Sequence, residues 1–172
     1  METVDATFTM KAPAMASSQD IIELYERYYT VVYHAALRVT GNAADAEDAL
    51  QTVYLRFLKQ EDRPRLEPSP EAYFRRAATN AAIDILRRKA GHGEMLLDEK
   101  DPLNAKESAP LLKLQLRRAI ARLPHDDAAL FLLRYVEGLS NGELAEMFAQ
   151  EKNNITVRLH RIRQALMVEM RR

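Results

Sequence analysis

The residues best suited to chemistry with a charged partner lie at the end of the chain, in LPHDDAALFLLRYVEGLSNGELAEMFAQEKNNITVRLHRIRQALMVEMRR, residues 123–172. From Glu151 to Arg172 six basic residues (Lys152, Arg158, Arg161, Arg163, Arg171, Arg172) stand against two acids (Glu151, Glu169). That excess along one segment suits contact with phosphates. On a helical repeat Ile155, Leu159, Ile162 and Leu166 share one face, while Asn153, Thr156, Val157, His160 and Arg161 fall on the other. One face can pack and the other can meet base edges. Catalytic chemistry has far less support. The four histidines (His34, His92, His125, His160) are scattered, no His-x-x-x-His or Glu-x-x-His pair exists, and there is no Gly-rich phosphate loop. No metal, cofactor or catalytic residue is expected.

Presenting that face requires a start, a turn and a second helix. Ser140-x-x-Glu143 has the form of a capping box, in which hydroxyl and carboxylate reciprocally satisfy free amides at a helix start. Gly138, just before it, can take positive φ and close the preceding helix. Leu144, Ala145 and Phe148 recur at helical spacing until the pattern weakens at Ala149 to Lys152, where a tight turn is expected. The whole reads as a helix-turn-helix.

Further upstream, Ser18 to Thr40 carries the stripe Ile21, Leu24, Tyr28, Val31, Ala35 and Val39, with Gly41 placed to end it. Asn42 can cap a second helix over Ala43 to about Lys59, with Ala46, Leu50, Val53 and Phe57 as its core stripe and Asp45, Glu47 and Asp48 in its first turns. QEDRPRLEPSP, with its prolines, is a loop, and Ser69-Pro70 supplies a cap and a first-turn proline for a third helix. That helix would bury Phe74, Ala78, Ala81 and Ile85, set Arg76, Asn80, Asp84 and Arg87 at near-helical spacing on another side, and end in Arg87-Arg88-Lys89. Residues 91–110 are acidic and Gly/Pro-bounded, and two more helices, Leu111 to Arg122 and Pro124 to Glu137, lead into the helix-turn-helix.

With 172 residues, 47% of them apolar and 29% charged, the chain can bury a core in one domain or two small ones. The net charge is zero, but its distribution is uneven: residues 111–172 hold 11 Lys and Arg against 7 Asp and Glu, and residues 91–110 hold 2 against 5. The absence of cysteine excludes disulfides and thiolate chemistry and is compatible with the cytosol. No apolar run reaches membrane-spanning length, and residues 1–18 lack the pattern of a signal peptide, so a cytoplasmic protein without membrane insertion is expected. No alternating pattern supports strands. The expectation is an all-α protein: a mobile tail over 1–18, a helical domain over 19–90, a flexible linker over 91–110, and a helix-turn-helix domain over 111–172.

Three stretches in order, DAEDALQTVYLR (45–56), YFRRAATNAAIDILRR (73–88) and AIARLP…LLRYVEGLSNGELAEMF…VRLHRIRQAL (119–166), resemble a bacterial sigma factor of the extracytoplasmic-function type. The resemblance covers about residues 19–170. It implies a sigma-2 domain of three to four helices, a linker and a sigma-4 domain that bind RNA polymerase core through its β′ and β subunits and direct it to promoter DNA. It further implies an anti-sigma factor as partner. Carried over, Asp45, Glu47, Asp48, Gln51 and Arg56 match the helix that docks on the β′ coiled coil, although acids at a helix start also simply complement its dipole. Arg76, Asn80, Asp84, Arg87 and Arg88 match the segment facing the −10 element. The loop of about 60–69 would form the pocket for a base flipped from that strand, and Tyr73 is more readily a core aromatic than an aromatic face for melted DNA.

In the sigma-4 domain the last helix would lie in the major groove of the −35 element. Thr156, Val157 and His160 would meet base edges, Arg158, Arg161 and Arg163 phosphates or guanine, and Asn153 and Asn154 the backbone at the helix start. The turn departs from the family pattern: AQEKNN stands where a small or Gly residue, an apolar residue and a Ser or Thr cap are usual, and Gln150 occupies the apolar place. An alternative reading is a helix-turn-helix regulator that does not bind core polymerase, with residues 19–90 as a dimerisation or ligand domain. Such a domain has no need of Asn80-x-x-x-Asp84-x-x-Arg87-Arg88. A helical adaptor for proteins alone would leave the basic C-terminal face without a use.

Overall fold

The computed structural model describes residues 18–59, 66, 69–93 and 109–172. The expectations for the tail, for most of the 60–69 loop and for the centre of the linker lie outside these residues. Among those described there are seven helices and no strand: α1 (Ser18–Thr40), α2 (Ala43–Lys59), α3 (Pro70–Gly91), α4 (Ala109–Arg122), α5 (His125–Tyr135), α6 (Asn141–Met147) and α7 (Lys152–Met170). No helix among them is long and apolar enough to cross a membrane.

Local signals set most of the boundaries. Gly41 at φ 68° closes α1, and the Asn42 side-chain oxygen accepts the Asp45 amide at 3.0 Å to start α2. The Ser69 hydroxyl accepts from the Ala72 amide at 3.2 Å, with Pro70 in the first turn of α3. Helices α1, α2 and α3 pack around an aromatic centre: Phe74 is fully buried, stacked on Tyr28 at 5.0 Å between ring centroids and 5.6 Å from both Tyr54 and Phe57. Burial also pushes the Tyr54 hydroxyl far above its ordinary pKa, with the neighbouring Tyr25 adding to the shift. The stripes of α2 and α3 are buried as expected; on α1 the core is shifted, for Val31 is half-buried while its neighbours Val32 and Ala36 are fully so. Helix α1 packs on both α2 and α3, which widens its buried face beyond one stripe.

Helices α4 to α7 form the second group. α7 lies against α4, α5 and α6, with Ile155, Leu159, Ile162 and Leu166 all buried. The two groups are in contact through α3, which packs on α4 and α5. The Arg117 guanidinium of α4 covers Gly41 so closely that a Cβ there would collide with it. Its Nε donates to the Val39 carbonyl at 3.2 Å.

Candidate nucleic-acid and polymerase interface

The capping box expected at the start of α6 is complete. The Ser140 hydroxyl accepts from the Glu143 amide at 3.2 Å, and the Glu143 carboxylate accepts from the Ser140 amide at 2.7 Å. Those bonds, the one from the Ser140 backbone first, hold the Glu143 carboxyl below the usual carboxylate range. Gly138 takes φ 78°, and the turn into α7 is made by Ala149 at φ 51°, a left-handed conformation without a glycine. Glu151 then caps α7 without a side-chain hydrogen bond. The unusual turn is therefore accommodated in the backbone, and the helix it feeds is regular.

On α7 the side chains of Asn153, Asn154, Thr156, Val157, His160, Arg161 and Arg163 are all exposed on the side away from the core. Two of the expected readers have other contacts. The Thr156 hydroxyl accepts from the Asn141 amide at 2.9 Å, tying α6 to α7, and donates to the Lys152 carbonyl. Arg158 is half-buried, its Nε donating to Asp127 at 2.6 Å. The Arg158 contact explains the difference from expectation: position 158 is next to buried Leu159 and rolls toward α5, where Asp127 in the first turn offers a carboxylate.

Along α2, Glu47, Asp48, Gln51 and Arg56 are exposed, whereas Asp45 is buried and accepts from Lys89 of α3 at 2.5 Å. Asp45 thus joins α2 to α3. Leu55 and Leu58, which the sequence reading left out, are half or more exposed on the same helix. Counting from Asp48, the spacing to Leu55 is seven residues, two helical turns, so the shared face was readable from the repeat. On α3 the five expected residues divide differently. Arg88 is exposed. Arg76 donates to the Met147 carbonyl at 2.7 Å and sits 4.4 Å from the Phe148 ring centroid, and Arg87 donates to the Leu123 carbonyl. Asp84 accepts from Arg56 at 3.2 Å and faces the His125 Nε2 at 3.2 Å, while Asn80 is half-buried. Tyr73 is half-buried against Phe57 and Phe74, which pushes its hydroxyl pKa up.

A basic helix presented by a helix-turn-helix and a second helical group with a polar α3 face match two families of sequence at once. Residues 24–92 match the family model for sigma-70 region 2, and residues 113–166 that for sigma-70 region 4. The chain belongs to the sigma-70 family. Its relatives place it among the extracytoplasmic-function factors. It is 29% identical over 153 residues to the ECF RNA polymerase sigma factor SigE of Mycolicibacterium smegmatis, covering 84% of this chain and 59% of that one. It is 26% identical over 168 residues to the ECF RNA polymerase sigma factor SigW of Bacillus subtilis, covering 88% of each. The fold is shared with the sigma factor RpoE of Bartonella quintana, solved in complex with the anti-sigma factor NepR, at a TM-score of 0.50 and 16% identity over 89% of this chain and 98% of that one. Membership makes this chain a promoter-specificity factor of RNA polymerase, in a family of non-enzymatic initiation factors. Its region 2 is α1 to α3 and its region 4 is α4 to α7.

Proposed function

We propose that this sigma factor works in the cytoplasm without catalysis or cofactor, binding RNA polymerase core through its β′ and β subunits and recognising a −10 and a −35 element. In this reading residues 19–90 and 111–172 are the two working domains and 91–110 the connection. Glu47, Asp48, Gln51 and Arg56, together with Leu55, dock on β′. Asp45 supports that surface from beneath, through Lys89. Arg76, Asn80, Asp84, Arg87 and Arg88 face the −10 strand. Asn153, Asn154, Thr156, Val157, His160, Arg161 and Arg163 address the −35 duplex, with Arg158 held on Asp127 at its margin. An anti-sigma factor is the expected partner when the factor is idle.

The observation that carries the reading is the combination of an exposed, largely polar face on α7 with a match to both sigma regions in one chain. A regulator that does not bind core would account for the first but not for the second. Run-off transcription with purified core polymerase on the host's own DNA tests it. Wild-type protein is expected to give discrete transcripts. Asp48→Arg, which reverses a charge on the exposed face of α2, is expected to reduce both co-purification with core and transcript yield by roughly tenfold or more, as loss of a close charged contact does. Promoter binding by the factor alone, with no dependence on core, would favour the regulator.

A further inference from the structure

Thr156 stands on the exposed face of α7, yet its hydroxyl is bound on two sides within the protein. It donates to the Lys152 carbonyl one turn back at 3.0 Å and accepts from the Asn141 side-chain amide of α6 at 2.9 Å. A hydroxyl has one proton to give. Were the Asn141 amide turned end for end, its oxygen would accept that proton in place of the Lys152 carbonyl, so in either orientation the proton stays inside the protein. Nothing is left to donate to guanine N7 or O6, adenine N7 or thymine O4, the acceptors that line the major groove. To donate to one of them Thr156 would have to give up an internal bond, an exchange without net gain.

What Thr156 has left to offer is its γ-methyl. Holding Oγ1 against Lys152 and Asn141 fixes χ1, and with it the direction of Cγ2. The oxygen is turned back along α7 and across to α6, so the group that this exposed side chain extends away from the helix is the methyl. Val157, the next residue, is 44% exposed and adds two more methyls on the side away from the core. Asn153 and His160, exposed a turn to either side, are polar. The reading face therefore holds a short apolar edge in a polar surround. Of the groups that base pairs present in the major groove, the thymine C5-methyl is the apolar one.

Asn141 is the residue that makes this arrangement. It lies half-buried in the first turn of α6, and its Oδ1 is buried without a hydrogen-bond partner among the described residues. A buried oxygen left so costs the fold stability, and what the amide does in that position is to orient one exposed side chain of the next helix.

We propose that Asn141 is a positioning residue for Thr156, and that Thr156 reads its base pair of the −35 duplex through its γ-methyl, with thymine as the matching base. Val157 carries the same apolar contact to a neighbouring base. Asn141 itself touches no base. The proposal rests on the reading of α7 as the helix that addresses the −35 element, and it adds which chemical group does the reading at position 156.

The test uses holoenzyme assembled from the full-length factor, and a duplex carrying the −35 sequence that this holoenzyme selects from a randomised pool. Each thymine of that element is replaced in turn by uracil, which removes the C5-methyl and leaves every hydrogen-bonding group in place. Wild type is expected to bind at least one such duplex about fourfold more weakly, the worth of one buried methyl. Thr156→Val, which keeps the methyl and removes the hydroxyl, should retain that preference. Thr156→Ser, which keeps the hydroxyl and removes the methyl, should bind the thymine and uracil duplexes equally. Asn141→Ala should cut the preference to less than about twofold at constant helical content, and should leave it untouched in the Thr156→Val background, where no hydroxyl remains to be held. The reverse pattern, preference lost in Thr156→Val and kept in Thr156→Ser, overturns the proposal, as does a selected element in which no thymine can be told from uracil. Weaker overall binding by Asn141→Ala with the preference intact overturns the positioning role. Failure of the −35 assignment itself is read separately, as unchanged binding of the same duplex by Arg161→Ala/Arg163→Ala.

Discussion

At the scale of single residues, α7 offers a division of labour that its geometry makes testable. His160 and Arg163 are both exposed and lie about one turn apart, at different distances from the start of the helix. His160 shares its face with Asn153, Thr156 and Val157, one turn apart and opposite the buried Ile155–Leu159–Ile162 stripe, where a groove-bound helix meets base edges. Arg163 lies a turn further on, where the groove curves away from the helix axis and a long cation reaches the backbone. His160→Ala is therefore expected to change the ranking of −35 sequences, by about 1–3 kcal/mol at the position it contacts. Arg163→Ala should weaken all sequences alike and lower the salt dependence by about one counterion. A selection on randomised −35 duplexes reads both; uniform loss from His160→Ala with reshuffled preferences from Arg163→Ala would mean that the helix enters the groove rotated. Arg158 serves as an internal control, since Arg158→Ala breaks the pair with Asp127 and should destabilise region 4 as well as alter binding.

At the scale of the helices, the turn between α6 and α7 is a strained joint. Ala149 sits at φ 51°, where a Cβ collides with the carbonyl that follows it, at a cost of roughly 1–2 kcal/mol. Glycine avoids that collision but raises the entropy of the unfolded chain, which returns about 0.4–1 kcal/mol of the gain. Ala149→Gly should thus raise the stability of the protein by something near ~0.5–1 kcal/mol, seen as a higher urea midpoint with an unchanged slope. A lower midpoint would show that the left-handed turn is not what the protein adopts in solution. The joint also marks how far local signals reach. The Asn42 cap, the Ser69-Pro70 start, the Ser140/Glu143 box and the α2, α3 and α7 stripes could be read because each depends on residues within a turn or two of one another. The left-handed Ala149 could not, because alanine gives no sign of it. The burial of Asp45 under Lys89 and the turning of Arg158 to Asp127 depend on neighbours 44 and 31 residues away, which no helical repeat records.

At the scale of the whole molecule, some of the charges that sum to zero along the chain pair across its two regions. Arg38 and Glu137 are 99 residues apart, and Arg75 and Glu137 62 apart. Nothing about position 137 in the sequence distinguishes it from an ordinary acid at a helix end, so this contact emerges only from the fold. Region 4 is held on region 2 by ion pairs and by guanidinium bonds to carbonyls as well as by apolar packing on α3, and the ionic part of that contact should respond to ionic strength in a way that the helices themselves do not. Screening acts over about 10 Å at 0.1 M and about 3 Å at 1 M, so the buried Glu137 cluster that joins the regions should yield only toward the higher salt. A folded 172-residue chain held as one body has a radius of gyration of roughly 16 Å. Small-angle scattering of the free protein is expected to stay near its low-salt value through about 0.1 M salt and to rise by several Å toward about 1 M, with constant helical content. In Glu137→Ala the larger value should be present already at low salt, because the carboxylate that organises both arginines is gone. A radius that does not move with salt in either protein would place the cohesion of the two regions in apolar packing, and Glu137 would then be a bystander to it.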